Sequence, residues 1–193
     1  MSLRRIRFVL WGLVFVVLAV VAVQFWGGRQ QTPSSFRPDF ALQDGSGQTH
    51  TMADFRGKFS LVFFGFTNCP DVCPTTLSEV AQVMDDLGAE ADRVQPLFVS
   101  IDPQRDRRQG LTEYVTAFHP AILGLSGSDA ATKDAADSFK IFFGREEDPA
   151  APDGYTMSHS PGLYLIGPDG EWLRQFAYET PAAEILADLE QRI

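Results

Sequence analysis

The chain has 193 residues, enough for one domain of ordinary size and an appendage. It carries 16 Lys and Arg against 25 Asp and Glu, a net charge of −9; since Arg4, Arg5, Arg7 and Arg29 lie near the start, residues 31–193 hold 12 bases against 25 acids, or −13. Such a surface excludes nucleic acid and anionic membrane faces as natural partners and suits a cationic or metal-bearing one, although most of these charges do no more than keep the surface solvated.

Residues 8–26, "FVLWGLVFVVLAVVAVQFW", carry no charge and one strongly polar side chain, Gln24. A helix of that length crosses a hydrocarbon core of roughly 30 Å. Arg4, Arg5 and Arg7 ahead of it keep that end in the cytoplasm by the positive-inside tendency. The expectation is a single-pass anchor in a bacterial-type cytoplasmic membrane, with the soluble domain on the periplasmic side. A cleavable signal peptide, cut after "VVA" at 20–22, is the rival, but its apolar region usually runs about 7–15 residues and no A-x-A site stands at the expected place. The expected divisions are a stub and anchor over 1–27, a polar Gly/Pro/Ser-bearing linker over 28–37, and one domain over 38–193.

Within the domain, "DFALQDGSGQTHTM" predicts two short strands around an Asp-Gly turn. "FSLVFFGF", 59–66, is an apolar run of strand length, as expected of a strand covered on both faces. Leu77, Val80, Ala81, Met84 and Leu87 then recur at helical spacing, with Gly88 as a stop. "VQPLFVSID" predicts a second buried strand, "RRQGLTEYVTAF" a helix, "ILGLSG" a short strand and "DAATKDAADSF" another helix. Residues 145–158, "REEDPAAPDGYTMS", read as a long irregular polar excursion. "GLYLIGPDGEWLRQFA" is a hairpin about a Pro-Asp-Gly turn, and Thr180 caps a last helix that opens at Pro181 and runs to Ile193. Alternating strands and helices with a final antiparallel hairpin imply an α/β sandwich, a mixed sheet with helices on both faces. The reactive edge of such a sheet is the carboxyl end of its central strands.

That edge holds the only two cysteines, in "FTNCPDVCPTT". Cys69 and Cys73 stand at i and i+4 around a helix start, close enough for a disulfide or a shared metal ion. The helix N-terminus favours thiolate, while the charge of Asp71 between them is expected to oppose it. A structural disulfide would close a very small loop and remove little unfolded-state entropy. A redox pair and a metal site both remain open. A metal needs a third ligand from His50, His119 or His159; His159 lies in a loop able to fold over the cysteine edge, whereas His119 ends a helix and His50 sits on a short exposed strand. Two thiolates and one imidazole make a soft site suited to copper; zinc would normally seek a fourth ligand. Asp102, at the end of the next strand, either caps the "DPQRD" turn or supports the site from behind.

Together "FFGFTNCPDVCPTTL", "FVSIDPQRD" and "SHSPGLYLIGPDG" resemble the Sco/SenC family of copper chaperones over residues 38–193, and the anchor-plus-linker layout is similar. The resemblance implies a thioredoxin-like fold and a role in assembling the dinuclear copper centre of cytochrome c oxidase subunit II. It implies that Cys69, Cys73 and His159 ligate Cu(I) or Cu(II), and that the cysteines cycle between dithiol and disulfide. A periplasmic copper donor and a thiol reductant follow as further partners. Many family members have Asp directly before the histidine, where this chain has Ser158, a change expected to tune the copper rather than remove the ligand. Pro161 falls where thioredoxin-like folds often place a cis proline, set against the general preference for trans bonds. Asp71, Asp102, Ser158 and Pro161 are thus the candidates for surrounding the ligands. The rivals are a peroxiredoxin-like peroxidase using Cys73, a thiol–disulfide oxidoreductase without copper delivery, and a copper sensor or store without redox action.

Overall fold

The computed structural model describes residues 36–193; the anchor expected over 1–27 and most of the linker lie outside them. No helix among the described residues is long and apolar enough to cross a membrane.

The apolar run forms β3 (Phe59–Gly65), buried at every position. Two short strands precede it, β1 (Ala41–Gln43) and β2 (Thr49–Thr51), paired antiparallel about the Asp-Gly turn. After β3 come the helix α1 (Val72–Leu87), β4 (Val94–Ser100), two short helices α2 (Pro103–Gln109) and α3 (Leu111–Thr116), β5 (Leu123–Leu125) and α4 (Asp129–Phe139). The chain ends with β6 (Phe143–Glu147), β7 (Tyr155–His159), β8 (Leu163–Ile166), β9 (Trp172–Phe176) and α5 (Ala182–Glu190). The central sheet runs β5-β4-β3-β8-β9; β3, β4 and β5 are parallel, and β8 and β9 are antiparallel additions. Phe64 meets Phe139 of α4 with ring centroids 5.2 Å apart, while the adjacent Gly65 faces Cys73 of α1. Successive strand residues point to opposite faces, so helices cover both. Each ring so buried contributes roughly 1.5–3 kcal/mol.

Gly65 has a steric task at the end of β3. A Cβ there would stand 2.7 Å from the Cys73 sulfur and 2.9 Å from the rings of Phe63 and Phe98. A side chain at this position would push Cys73 out of its seat.

Three expectations need correction. The stretch 145–158 is not irregular: β6 and β7 pair antiparallel from Phe143↔His159 to Glu147↔Tyr155, as a two-stranded sheet of their own. The single helix expected over 107–118 is two, broken where Gly110 adopts a left-handed φ of 79°. The last helix stops at Glu190, and Thr180 does not cap it. The Thr180 hydroxyl donates to the Ala177 carbonyl, and the N–H of Ala182 donates instead to Glu79 of α1, at 2.5 Å.

Candidate metal centre

Beyond Gly65 the chain leaves the sheet and must turn into α1, and a buried carboxylate holds that turn. Asp106 of α2, fully buried, accepts the N–H and hydroxyl of Thr67 at 3.0 and 2.8 Å and the hydroxyl of Ser100 at 2.6 Å. Burial pushes its carboxyl upward against the pull of those hydrogen bonds. The clamp delivers Cys69 just before the helix and Cys73 in its first turn.

There the two thiols become unlike. Cys69 is half-buried and Cys73 fully buried, both as free thiols. The backbone N–H of Cys73 donates to the Cys69 sulfur at 3.3 Å. The Cys73 thiol donates to that sulfur as well, and this contact most strongly pulls the Cys69 pKa down to about 4. Burial opposes the shift, while a hydrogen bond with His159 and the backbone N–H groups of Cys73 and Asp71 support it. The same pair pushes Cys73 up, first through its bond to Cys69 and then through burial. At Asp71 the group that serves the sulfur is the backbone N–H, which favours the thiolate. Its exposed carboxylate accepts the Tyr178 hydroxyl at 3.3 Å and the Thr75 hydroxyl at 3.5 Å.

Selective alkylation follows from this asymmetry. Iodoacetamide labels Cys69 and spares Cys73, at a rate that is flat between about pH 5 and pH 8. A thiol with depressed pKa loses reactivity only as pH falls through its folded value, here about 4. A rate still climbing tenfold per pH unit above neutrality, read by mass spectrometry, would mean an ordinary thiol.

His159 closes β7 and stands edge-on to Phe63 and Phe66, ring centroids 6.1 and 6.3 Å away. Its Nδ1 lies 3.1 Å from the Ser160 carbonyl. A carbonyl only accepts, so Nδ1 is the donor in this contact. Cys69 and His159 share a pocket of about 300 Å³ with Phe66, Val72, Met157 and Pro161. Among the described residues no three His, Cys, Asp or Glu side chains already converge on one metal position. The donors are neighbours rather than a closed cage. The other histidines are engaged elsewhere: His50 with Asp44 at 2.8 Å, while the His119 Nδ1 accepts the N–H of Ala121 at 3.1 Å.

The remaining candidates divide. Ser158 also lines the pocket, but its hydroxyl donates to the Gly144 carbonyl at 3.4 Å. Pro161 is on the rim, and no peptide bond among the described residues is cis, so the general trans preference holds there. Asp102 occupies the N-cap position of α2 without a side-chain cap. Its buried carboxylate meets Arg105 Nε at 2.7 Å and accepts the Tyr155 hydroxyl at 3.0 Å. Arg105, 1 % exposed, also donates to the Tyr155 carbonyl at 3.2 Å and lies 4.1 Å over its ring. This fixes the start of β7, the strand that ends in His159. Sequence reasoning assigned no role to Arg105, Asp106, Thr67, Tyr155 or Met157. The available signal was polar side chains crowded behind the buried strand in "FVSIDPQRD".

A sequence profile of the SCO1/SenC family matches residues 28–193. The chain belongs to that family. It is 35% identical over 193 aligned residues to the mitochondrial SCO2 homologue of mouse, an alignment covering 94% of this chain and 74% of that one. Among solved structures, copper-bound ScoI of Bradyrhizobium japonicum superposes with a TM-score of 0.74 at 34% identity, over 82% of this chain and all 100% of the other. BsSco, a Sco family cytochrome c oxidase assembly protein with a disulfide switch, gives 0.63 at 25% identity over 84% and 96%. The Sco fold is thioredoxin-like, and the mixed sheet described above is its version here.

Proposed function

We propose that this protein is a membrane-anchored copper metallochaperone and thiol–disulfide protein that assists assembly of the dinuclear copper centre of cytochrome c oxidase, with subunit II as the receiver. Copper is its cargo, bound through Cys69, Cys73 and His159, and the domain works on the periplasmic side of the membrane. The observation that carries the reading is the Cys69 sulfur, held near thiolate by Cys73 and bordered by the His159 ring. Two soft sulfurs and one imidazole suit copper in either oxidation state, and copper sits in the related ScoI structure.

The same pair suits reduction of a partner disulfide. The Cys69 thiolate attacks one partner sulfur, forming a mixed disulfide and releasing the other as thiolate. Cys73 then gives up its proton and attacks the Cys69 sulfur, so the second partner thiolate leaves and the Cys69–Cys73 disulfide forms. Two electrons have passed to the partner, and a periplasmic dithiol reductant restores the pair. A peroxidase built on Cys73 fits less well, because that thiol is buried and its pKa is raised.

Metal and redox functions on one pair must be linked. Bound Cu(I) is expected to protect the dithiol and raise its apparent reduction potential by about 30 mV for each tenfold of binding. The measurement is a glutathione redox titration of the full-length chain in detergent, with and without Cu(I), read by thiol trapping. A midpoint indifferent to copper would overturn the reading.

A further inference from the structure

β7 carries one more donor facing the site. Tyr155, Met157 and His159 alternate with Thr156 and Ser158, so by strand geometry they share a face. Tyr155 is clamped by Asp102 and Arg105 at one end, and His159 borders Cys69 at the other. Met157 lies between them, packed on the core but only half-buried. It forms part of two walls: that of the pocket holding Cys69 and His159, and that of a second pocket of about 320 Å³ lined by Asp102, Phe143 and Tyr155. Met52 and Met84, by contrast, are 5% and 3% exposed within the core and line neither pocket. Methionine often fills irregular gaps, but Met157 borders open space on two sides.

Resting on the copper reading above, we propose that Met157 is a further copper-binding residue, whose thioether takes Cu(I) on the Cys69 side of the pocket. A thioether is a neutral, soft donor that suits Cu(I) and is indifferent to Cu(II). Among the described residues the His, Cys, Asp and Glu side chains do not by themselves converge in threes, and a flexible unbranched sulfur ligand supplies an additional donor without moving the backbone. Cu(I) entering or leaving along β7 then passes from the thioether to the Cys69 thiolate without losing sulfur coordination. The Ser158 hydroxyl, committed to the Gly144 carbonyl, takes no part.

The test uses the full-length chain in detergent with 13C-labelled methionine methyl groups, titrated anaerobically with Cu(I). The Met157 methyl signal, assigned by its loss in Met157→Leu, shifts in step with the first equivalent, while those of Met52 and Met84 stay fixed. Met157→Leu conserves side-chain volume. It weakens Cu(I) binding about tenfold, the size of loss that removing one supporting group brings, and leaves Cu(II) binding unchanged. A tenfold loss confined to Cu(I) lowers the Cu(II)/Cu(I) midpoint by about 59 mV. If the cysteines take up Cu(I) while the Met157 methyl does not move, or if Met157→Leu keeps both affinities, the inference is wrong and the chaperone reading survives. If the wild-type chain takes up no Cu(I) at all, both fall. Should Met157→Leu fold poorly, Met157→Ile makes the same assignment, and the methyl readout itself is taken on the wild-type fold.

Discussion

Serine at either Cys69 or Cys73 removes tight Cu(I) binding, by roughly three orders of magnitude or about 4 kcal/mol. Each change leaves one sulfur and a hard hydroxyl, but the two variants fail differently. Cys69→Ser removes the sulfur that the Cys73 thiol, helped by backbone N–H groups, holds near thiolate. What remains is Cys73, fully buried, whose own burial still disfavours its charged form. Cys73→Ser keeps the Cys69 sulfur and the backbone N–H that faces it, yet deletes the contact that lowers its pKa most. Alkylation of Cys69 in that variant therefore becomes pH-dependent nearer neutrality, while Cys69→Ser is not labelled at all. His159→Ala is milder, since both sulfurs survive: Cu(I) weakens modestly and Cu(II) more, imidazole being the donor that Cu(II) prefers. Competition against a chromophoric Cu(I) chelator reads the affinities. Wild-type affinity in either serine variant would show that the sulfurs do not share one ion.

How far these residues could be found without a structure depends on the kind of signal each one carries. β3 was legible because a strand buried on both faces needs an unbroken apolar run, and "FSLVFFGF" is one. The cysteine pair was legible because it follows that run at the reactive edge of the sheet. The hairpin β6–β7 was not legible. Arg145, Glu146 and Glu147 give no alternation, and prolines with an Asp-Gly turn look like loop. What makes it a hairpin is pairing between its own strands and the guanidinium of Arg145 lying 3.6 Å over the Tyr155 ring. Charge was visible in the sequence but its partners were not. Asp71 was legible as a charge between the thiols, but not Tyr178, over a hundred residues away, whose hydroxyl its carboxylate accepts. The helix cap failed for the same reason, since Glu79 reaches Ala182 across 103 residues. Local patterns report periodicity and turns; long-range polar contacts depend on where the fold brings distant side chains together.

The second large effect is expected at Asp102, and it bears on how His159 is held. The β6–β7 sheet makes no strand pairing with the five-stranded sheet. Its attachment near Tyr155 is polar: hydroxyl to Asp102, carbonyl to Arg105, and ring beneath the Arg105 guanidinium. Asp102 and Arg105 side chains are 8% and 1% exposed, so their ion pair is a desolvated one. Removing one partner of such a desolvated pair costs about 3–5 kcal/mol. For a domain of this size Asp102→Ala should therefore lower the melting midpoint by roughly 6–20 °C. Asp102→Asn keeps an oxygen for Tyr155 and loses only the charge, so it should fall between. Tyr155→Phe deletes one hydroxyl donor and should cost about 1 kcal/mol, while the Asp102–Arg105 pair survives. Hydrogen exchange separates local loosening from global loss. In Tyr155→Phe the amides of β7 up to His159 should exchange faster while those of β3 and β4 keep their protection. If β7 and the central strands instead lose protection equally, the clamp serves the whole fold and does not specifically position the histidine. If Asp102→Ala melts within a few degrees of wild type, the ion pair does not hold the domain in the way its burial implies.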